Sequence, residues 1–237
     1  MKKLLVILFA AAGLSAQEAH DDLMAIQDNS FLLEEAYNQG PGVVQHIGVF
    51  TRQRDSGDWE LAFTQEFSFL NSMKHQLSYS VPVNNDGLGD IELNYRYQLL
   101  GDADANLAIT PRLTLVVPTG DDSETAIDAG IALSRIFAPR IAGHTNAGIT
   151  YVTDDGGSHE LYVGQSFVYA PSPKYQLLVE ATYAHPEEGD DEIIVSPGIR
   201  WVYNRPSGWQ IVPGVGLPIG LGDNRDEAVL LYLSFEK

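Results

Sequence analysis

Cysteine is absent from the 237 residues, which rules out a disulfide framework and a lipid-anchored N-terminal cysteine. Beyond residue 12, no stretch holds the roughly 18 apolar residues in a row that mark a membrane-crossing helix. A chain with this sequence can therefore cross a bilayer only as a closed barrel, because backbone groups left unpaired in lipid cost several kcal/mol each. Basic residues are also scarce: 14 Lys and Arg stand against 32 Asp and Glu, for a net charge of −18. Such a polyanion is repelled by nucleic acid and by acidic lipid surfaces, so no nucleic-acid partner is expected. Acidic composition also occurs in disordered chains, but 44% hydrophobic and 10% aromatic residues argue for a folded one.

What is present begins with Lys2 and Lys3, a basic start followed by an apolar run over 4–12 that is too short to span a bilayer. Small residues Ser15 and Ala16 precede Gln17, so residues 1–16 read as a signal peptide cleaved after Ala16. Leu14 is larger than the usual residue at that distance from the cut. The rival reading, a retained anchor, fails on length. Without Lys2 and Lys3 the mature chain keeps 12 basic against 32 acidic residues, a net charge of about −20.

From Val43 onward one pattern repeats. In Asp90-Ile-Glu-Leu-Asn-Tyr-Arg-Tyr-Gln-Leu99, the residues Ile91, Leu93, Tyr95, Tyr97 and Leu99 share one face, and Asp90, Glu92, Asn94, Arg96 and Gln98 share the other. Period two is the signature of a strand. The same reading predicts twelve strands near 43–53, 59–70, 74–83, 90–100, 106–118, 125–138, 141–153, 159–170, 174–185, 192–203, 209–219 and 228–236. Their length suits tilted membrane strands, and their even number suits a bacterial barrel with both chain ends on one side.

The connections alternate in character. Odd-numbered ones are acidic and contain glycine, as in Asp55-Ser-Gly-Asp58, Thr119-Gly-Asp-Asp-Ser-Glu124 and Pro186-Glu-Glu-Gly-Asp-Asp-Glu192. Even-numbered ones, such as Asn71-Ser-Met73, Pro139-Arg140 and Pro171-Ser-Pro173, are mostly shorter, and one alone is acidic. This fits an up-and-down chain of hairpins whose two rims meet different surroundings. The apolar face is large and continuous (Leu107, Ile109, Leu113, Leu115 and Val117 on one strand), and Trp59, Tyr79, Tyr151, Tyr169, Trp201 and Trp209 fall near strand ends, where aromatic girdles form. These features predict an all-β fold, a transmembrane antiparallel up-and-down barrel of about 12 strands over 43–237. Its apolar face meets lipid and its polar face an enclosed axis.

Residues 17–42 break the pattern. Asp28-Asn-Ser30 offers a cap, and Phe31-Leu-Leu-Glu-Glu-Ala-Tyr-Asn38 reads as two helical turns ended by Gly40-Pro41-Gly42. One reading makes this short helix a plug in the barrel mouth, carrying Glu34, Glu35 and Tyr37. The other leaves it a periplasmic tail.

The stretch from Ser30 to Gln39, followed by Pro41-Gly-Val-Val-Gln-His46, resembles the N-terminal signature of bacterial outer-membrane "transporter" barrels related to the MetA-pathway of phenol degradation family. Gly87-Leu-Gly-Asp90, Pro111-Arg-Leu-Thr-Leu-Val-Val-Pro-Thr-Gly120 and His144-Thr-Asn-Ala-Gly148 agree with it in order along the chain. The resemblance implies an outer-membrane barrel passing small organic molecules and carries over no catalytic residue.

The expected lumen holds Glu66, Glu92, Asp128, Glu160 and Glu180 with Arg96, Arg112, Arg200 and His144. Charges in an enclosed lumen need partners. They form either a selectivity lining or a structural ion-pair network closing the interior. An enzyme of the outer-membrane phospholipase kind is not expected, since His144 is expected to point inward, no Ser stands one pleat from it, and the neighbouring Thr145 points the other way. The acidic loops read as solvated surface, with weak divalent bridging to lipopolysaccharide as the alternative. No cofactor, dinucleotide loop or zinc motif is expected. At the C-terminus, Leu233-Ser-Phe235 supplies the apolar alternation read by the barrel-assembly machinery, and Glu236 and Lys237 follow it. The expectation is a monomeric barrel in the outer membrane of a Gram-negative bacterium, acting as a passive channel for small solutes. A sealed structural barrel and a lipid-modifying enzyme are the alternatives.

Overall fold

The computed structural model describes residues 23, 25, 26, 28–102, 105–120, 124–153, 157–221 and 226–237. The expected signal peptide lies outside the described residues, as do the acidic loop segments 121–123, 154–156 and 222–225.

Period-two alternation produces strands throughout. They are β1 (Val44–Gln53), β2 (Trp59–Ser68), β3 (His75–Asn84), β4 (Gly87–Leu88), β5 (Ile91–Tyr97), β6 (Leu107–Val117), β7 (Ala126–Ala138) and β8 (Ile141–Val152). After these come β9 (Ser158–Ser172), β10 (Tyr175–Pro186), β11 (Glu192–Trp201), β12 (Tyr203–Asn204), β13 (Gln210–Gly216), β14 (Ile219–Leu221) and β15 (Ala228–Glu236). Every pairing is antiparallel, and β1 pairs with β2 on one side and β15 on the other, which closes the sheet. The short strands β4, β12 and β14 prolong β5, β11 and β13, so the wall has 12 staves. Closure removes the open edges that lipid would not tolerate.

Local chemistry explains the irregularities. The stave formed by β13 and β14 is interrupted at Leu217 and Pro218; the proline has no N–H to donate, and Leu217 N–H bonds instead to the Pro197 carbonyl at 3.0 Å. Between β2 and β3, Leu70 and Asn71 both have positive φ (57° and 51°), and Ser72 N–H returns to the Phe69 carbonyl at 3.3 Å. Two positive φ values make a type I′ hairpin turn.

The two faces are those of a membrane barrel. Leu113, Phe167 and Val179 point outward and are 52%, 52% and 53% exposed, within a belt of similar side chains. In water so much apolar surface would drive aggregation; against acyl chains it is at home. Inside, Gln76, Thr110, Ser166, Glu180, Ser196 and Arg200 are buried. At the short-turn rim His46, Phe235 and Trp209 stack in series, with Lys237 over Trp209, and at the acidic rim Phe50 stacks on Trp59. Among the described residues no helix is long and apolar enough to cross a membrane.

One expectation fails. Residues 31–38 form no helix; they run as irregular, bent chain inside the barrel. The expected cap is spent elsewhere: the Asp28 carboxylate accepts from Gln45 Nε2 at 2.7 Å and from the hydroxyls of Tyr232 and Ser234. A helix would bond its own backbone groups; here the wall bonds them instead, as described next.

Candidate functional site

The interior is organised by this inner strap, residues 28–39. Its backbone follows the wall from stave to stave. Phe31 and Leu32 donate their N–H groups to Glu180 on β10, at 3.2 and 3.0 Å. Glu34 N–H reaches Asn146 Oδ1 on β8 at 2.9 Å, and Ala36 N–H reaches Ser134 Oγ on β7 at 2.7 Å. Asn38 N–H then reaches Gln98 Oε1, just beyond β5, at 3.0 Å, and Gln39 N–H reaches Gln76 Oε1 on β3 at 2.7 Å. The strap carbonyls are met in the same way. Asn146 Nδ2 donates to Glu34 O at 2.8 Å, while Gln98 Nε2 and Thr110 Oγ1 donate to Ala36 O at 2.7 and 2.6 Å. A carboxamide carries both a donor and an acceptor, so Asn146 and Gln98 each substitute for the backbone of a neighbouring strand. Buried peptide groups must be paired, and this supplies their partners without a helix or a ladder.

Glycines make room for the strap's apolar side chains. A Cβ at Gly198, Gly214 or Gly216 would overlap the Phe31 ring, and one at Gly164 would overlap Leu33. Phe31 thus sits in a recess floored by bare backbone, against Tyr232 at 5.3 Å between ring centres.

Glu34 and Glu35 are adjacent in the chain but meet different partners. Glu34 lies 2.8 Å from Arg112 and 3.7 Å from Arg96. Burial opposes its charge, but Arg112 and then Arg96 outweigh that and hold the carboxyl below its usual range. Glu35 meets Arg200 at 3.1 Å and His144 Nε2 at 3.5 Å. For Glu35 burial wins over Arg200, and its pKa is pushed up to about 7. Arg200 also donates to the carbonyls of Asp28 and Asn29, at 2.7 Å each, and to Gln176 Oε1 at 2.6 Å.

The remaining expected residues fall as follows. Glu66 is buried and accepts from Asn29 Nδ2 at 3.1 Å and Gln76 Nε2 at 3.0 Å. Asp128 pairs with Arg112 at 3.1 Å and accepts from Tyr162 OH at 3.2 Å. Glu92 is exposed, at the edge of a cavity on the acidic-rim side, and Glu160 is half-buried near that rim. Tyr37 OH donates to the Ala105 carbonyl at 3.0 Å. The sequence pattern expects wall carboxylates to answer the three arginines, but Asp128 alone does so by ion pair among the described residues; the strap's Glu34 and Glu35 do the rest.

His144 corrects a further point. Ser134, directly opposite on β7, lies 2.7 Å from His144 Nδ1. Neighbours along the strand do not disclose a serine that register brings across it. Ser134, His144 and Glu35 therefore line up, but Ser134 Oγ also accepts the Ala36 N–H and the adjoining cavity measures about 20 Å³. The arrangement fastens the strap. Among the described residues, no group of three or more His, Asp or Glu side chains is placed to hold a metal ion.

Two larger cavities flank the strap. The outer one, about 470 Å³, opens on the acidic-rim half and is lined by Glu34, Glu92, Arg112, Asp128 and Tyr162 among others. The inner one, about 180 Å³, lies toward the short-turn rim beside Asp28, Glu35, Asn38 and Glu236. Both touch Asn29 and Glu66.

No family model and no curated protein matches the chain. Solved structures do. An outer membrane channel from Pseudomonas putida F1 aligns with a TM-score of 0.62 at 11% identity, covering 85% of this chain and 97% of that one. The NanC porin aligns at 0.60 with 9% identity, covering 80% and 98%. The KdgM porin aligns at 0.60 with 12% identity, covering 80% and 97%. At such identities the likeness is one of fold: this chain has the architecture of outer-membrane porin barrels.

Proposed function

We propose that the protein is a passive channel for small solutes in the outer membrane of a Gram-negative bacterium, with residues 28–39 as a plug that sets its narrowest point. The observation that carries this reading is the pair of cavities reaching in from opposite rims to the same two residues. Asn29 and Glu66, joined by a side-chain hydrogen bond, line both cavities, with the strap between them. A solid interior would have no such pair of cavities. The fold shared with porins supports the reading, and the likeness of residues 30–46 to the phenol-degradation barrels favours small organic solutes. The apolar belt faces lipid, the acidic rim faces lipopolysaccharide, and a single chain completes the barrel. Insertion falls to the barrel-assembly machinery.

A second reading has its own support. The strap's backbone is bonded to wall groups at nearly every step, which favours a permanently sealed barrel. Planar-bilayer recording separates the two. The channel reading expects discrete current steps from the wild type and larger ones from Glu180→Ala, which frees the Phe31 and Leu32 N–H groups. A stably inserted protein that passes no current in either form would leave the sealed barrel standing.

A further inference from the structure

We infer that half of the short-turn rim, from β7 round to β15, binds the anionic headgroups of phospholipids in the inner leaflet. The site is on the barrel's outer flank, so it holds whether or not the lumen conducts. β1 begins and β15 ends at this rim, where Val44 N–H meets the Lys237 carbonyl. Short turns of this kind face the periplasm in bacterial barrels, so the rim meets the phospholipid leaflet. The chain's net charge of −18 conceals a separation. Carboxylates crowd the acidic rim, where Arg54 is itself paired with Glu227. The short-turn rim instead carries Arg135, Arg140, Lys174, Arg205 and Lys237, met in turn from β7 to the end of β15. Among the described residues that arc contains one carboxylate, Glu236, and it lines the inner cavity. Repulsion from acidic lipid therefore belongs to the other rim.

The direction of Arg135 is an independent pointer to lipid. Arg135 pairs across its ladder with Leu107, which faces outward and is exposed, so Arg135 also stands on the lipid-facing surface, close to the rim. An arginine on that surface is costly unless its head reaches water or an anion. Its guanidinium lies 5.5 Å over the ring of Phe137, which is 54% exposed. Lys237 lies over Trp209 in the same way, at 5.9 Å. The rings hold both cations at the level of the headgroups, where aromatic belts form. Arg140 donates to the Pro171 carbonyl at 3.1 Å and ties two of the basic turns together. Arg135, Lys174, Arg205 and Lys237 have no ion pair among the described residues. A phosphate supplies the missing charge, with oxygens that a guanidinium can meet two at a time. Exposed Phe167, Leu177 and Val179 lie alongside to receive the acyl chains. An acidic protein could reach the turns but not Arg135, which stands on the flank among apolar neighbours.

The test reads tryptophan fluorescence of the purified barrel in phosphatidylcholine vesicles. A Trp59→Phe background leaves Trp201 and Trp209, both beside the arc, as the reporters. Brominated phosphatidylglycerol, added as a minor lipid, should associate about fivefold more tightly than brominated phosphatidylcholine, the worth of one basic residue at an anionic surface. Salt near 1 M should shrink that preference without any substitution, because exposed charges are screened. Arg135→Gln, Lys174→Gln and Arg205→Gln combined, with folding checked by heat-modifiable migration, should abolish it. Arg52→Gln, at the acidic rim, should leave it unchanged. Equal association of the two lipids with the unsubstituted rim overturns the inference and leaves the arc to a protein partner. A preference that survives the three substitutions overturns it as well.

Discussion

Arg96 and Arg112 lie directly opposite each other across the β5–β6 ladder. Like charges in that position destabilise a sheet. Glu34 of the strap approaches both guanidiniums and turns the repulsion into a three-centre pairing. Glu34→Gln should therefore loosen the strap by about 3 kcal/mol, the lower range for breaking a buried pair. With no native cysteine, Ala36→Cys gives a clean reporter; its thiol should react with a water-soluble maleimide many times faster in the Glu34→Gln background. An unchanged labelling rate would contradict the pairing. The Phe31 recess allows a second test with the same reporter. A valine side chain in place of Gly198 overlaps the Phe31 ring, so Gly198→Val should expel the ring and speed labelling of the thiol introduced at position 36. Val195→Ala, on the same strand but facing away from the strap, should not.

At the scale of elements, the strap and the wall follow different rules, and the sequence reveals one far better than the other. The wall is legible because period two survives in every stave; β6, expected over 106–118, spans Leu107–Val117. The strap reads as a helix because its local signals, a capping triplet and two early acidic residues, are real helix signals that tertiary partners override. Nothing local to residues 31–38 announces that Asn146, Ser134, Gln98 and Gln76, each far along the chain, will take its backbone groups. The inner-face amides are the available clue, since a lumen meant only to hold water has no need of carboxamides spaced along one circuit. The strap also sets a pH response. Docked, Glu35 titrates near 7; displaced into water, it returns to about 4.5. Because the docked pKa is the higher one, this group favours docking fully below 4.5 and loses that effect as pH rises through 7. Arg200, Arg96, His144 and Asp28 face Glu35 and help set its field. Labelling of the position-36 thiol should thus accelerate between about pH 5 and pH 8, relative to a displaced control, and Glu35→Gln should flatten the response. Equal slopes with and without the Glu35 carboxyl would assign the response to other groups.

For the whole molecule, what matters is which way a closed sheet turns its two faces, and adjacent positions on one strand put that to the test. Leu113 and Thr114 are neighbours on β6; Leu113 is 52% exposed on the outer face, while Thr114 is buried inside, donating to Asn94 Oδ1 at 3.2 Å and standing opposite Asp128. In a soluble barrel the inward position would punish a charge and the outward one would accept it. In a membrane the order reverses: an arginine among acyl chains near the bilayer midplane costs about 2–4 kcal/mol, whereas one in a polar lumen finds water and carboxylates. Leu113→Arg should therefore lower the unfolding free energy of the lipid-reconstituted barrel by about that amount, and Thr114→Arg should leave it within about 1 kcal/mol. The inner substitution should act on conduction instead. A new guanidinium beside Asp128, in a cavity where Glu34, Glu66 and Glu92 outnumber Arg112, offsets part of its negative field and should lower cation-over-anion permeability under a salt gradient. Stability lost at Thr114 and kept at Leu113 would mean that the faces are turned the other way.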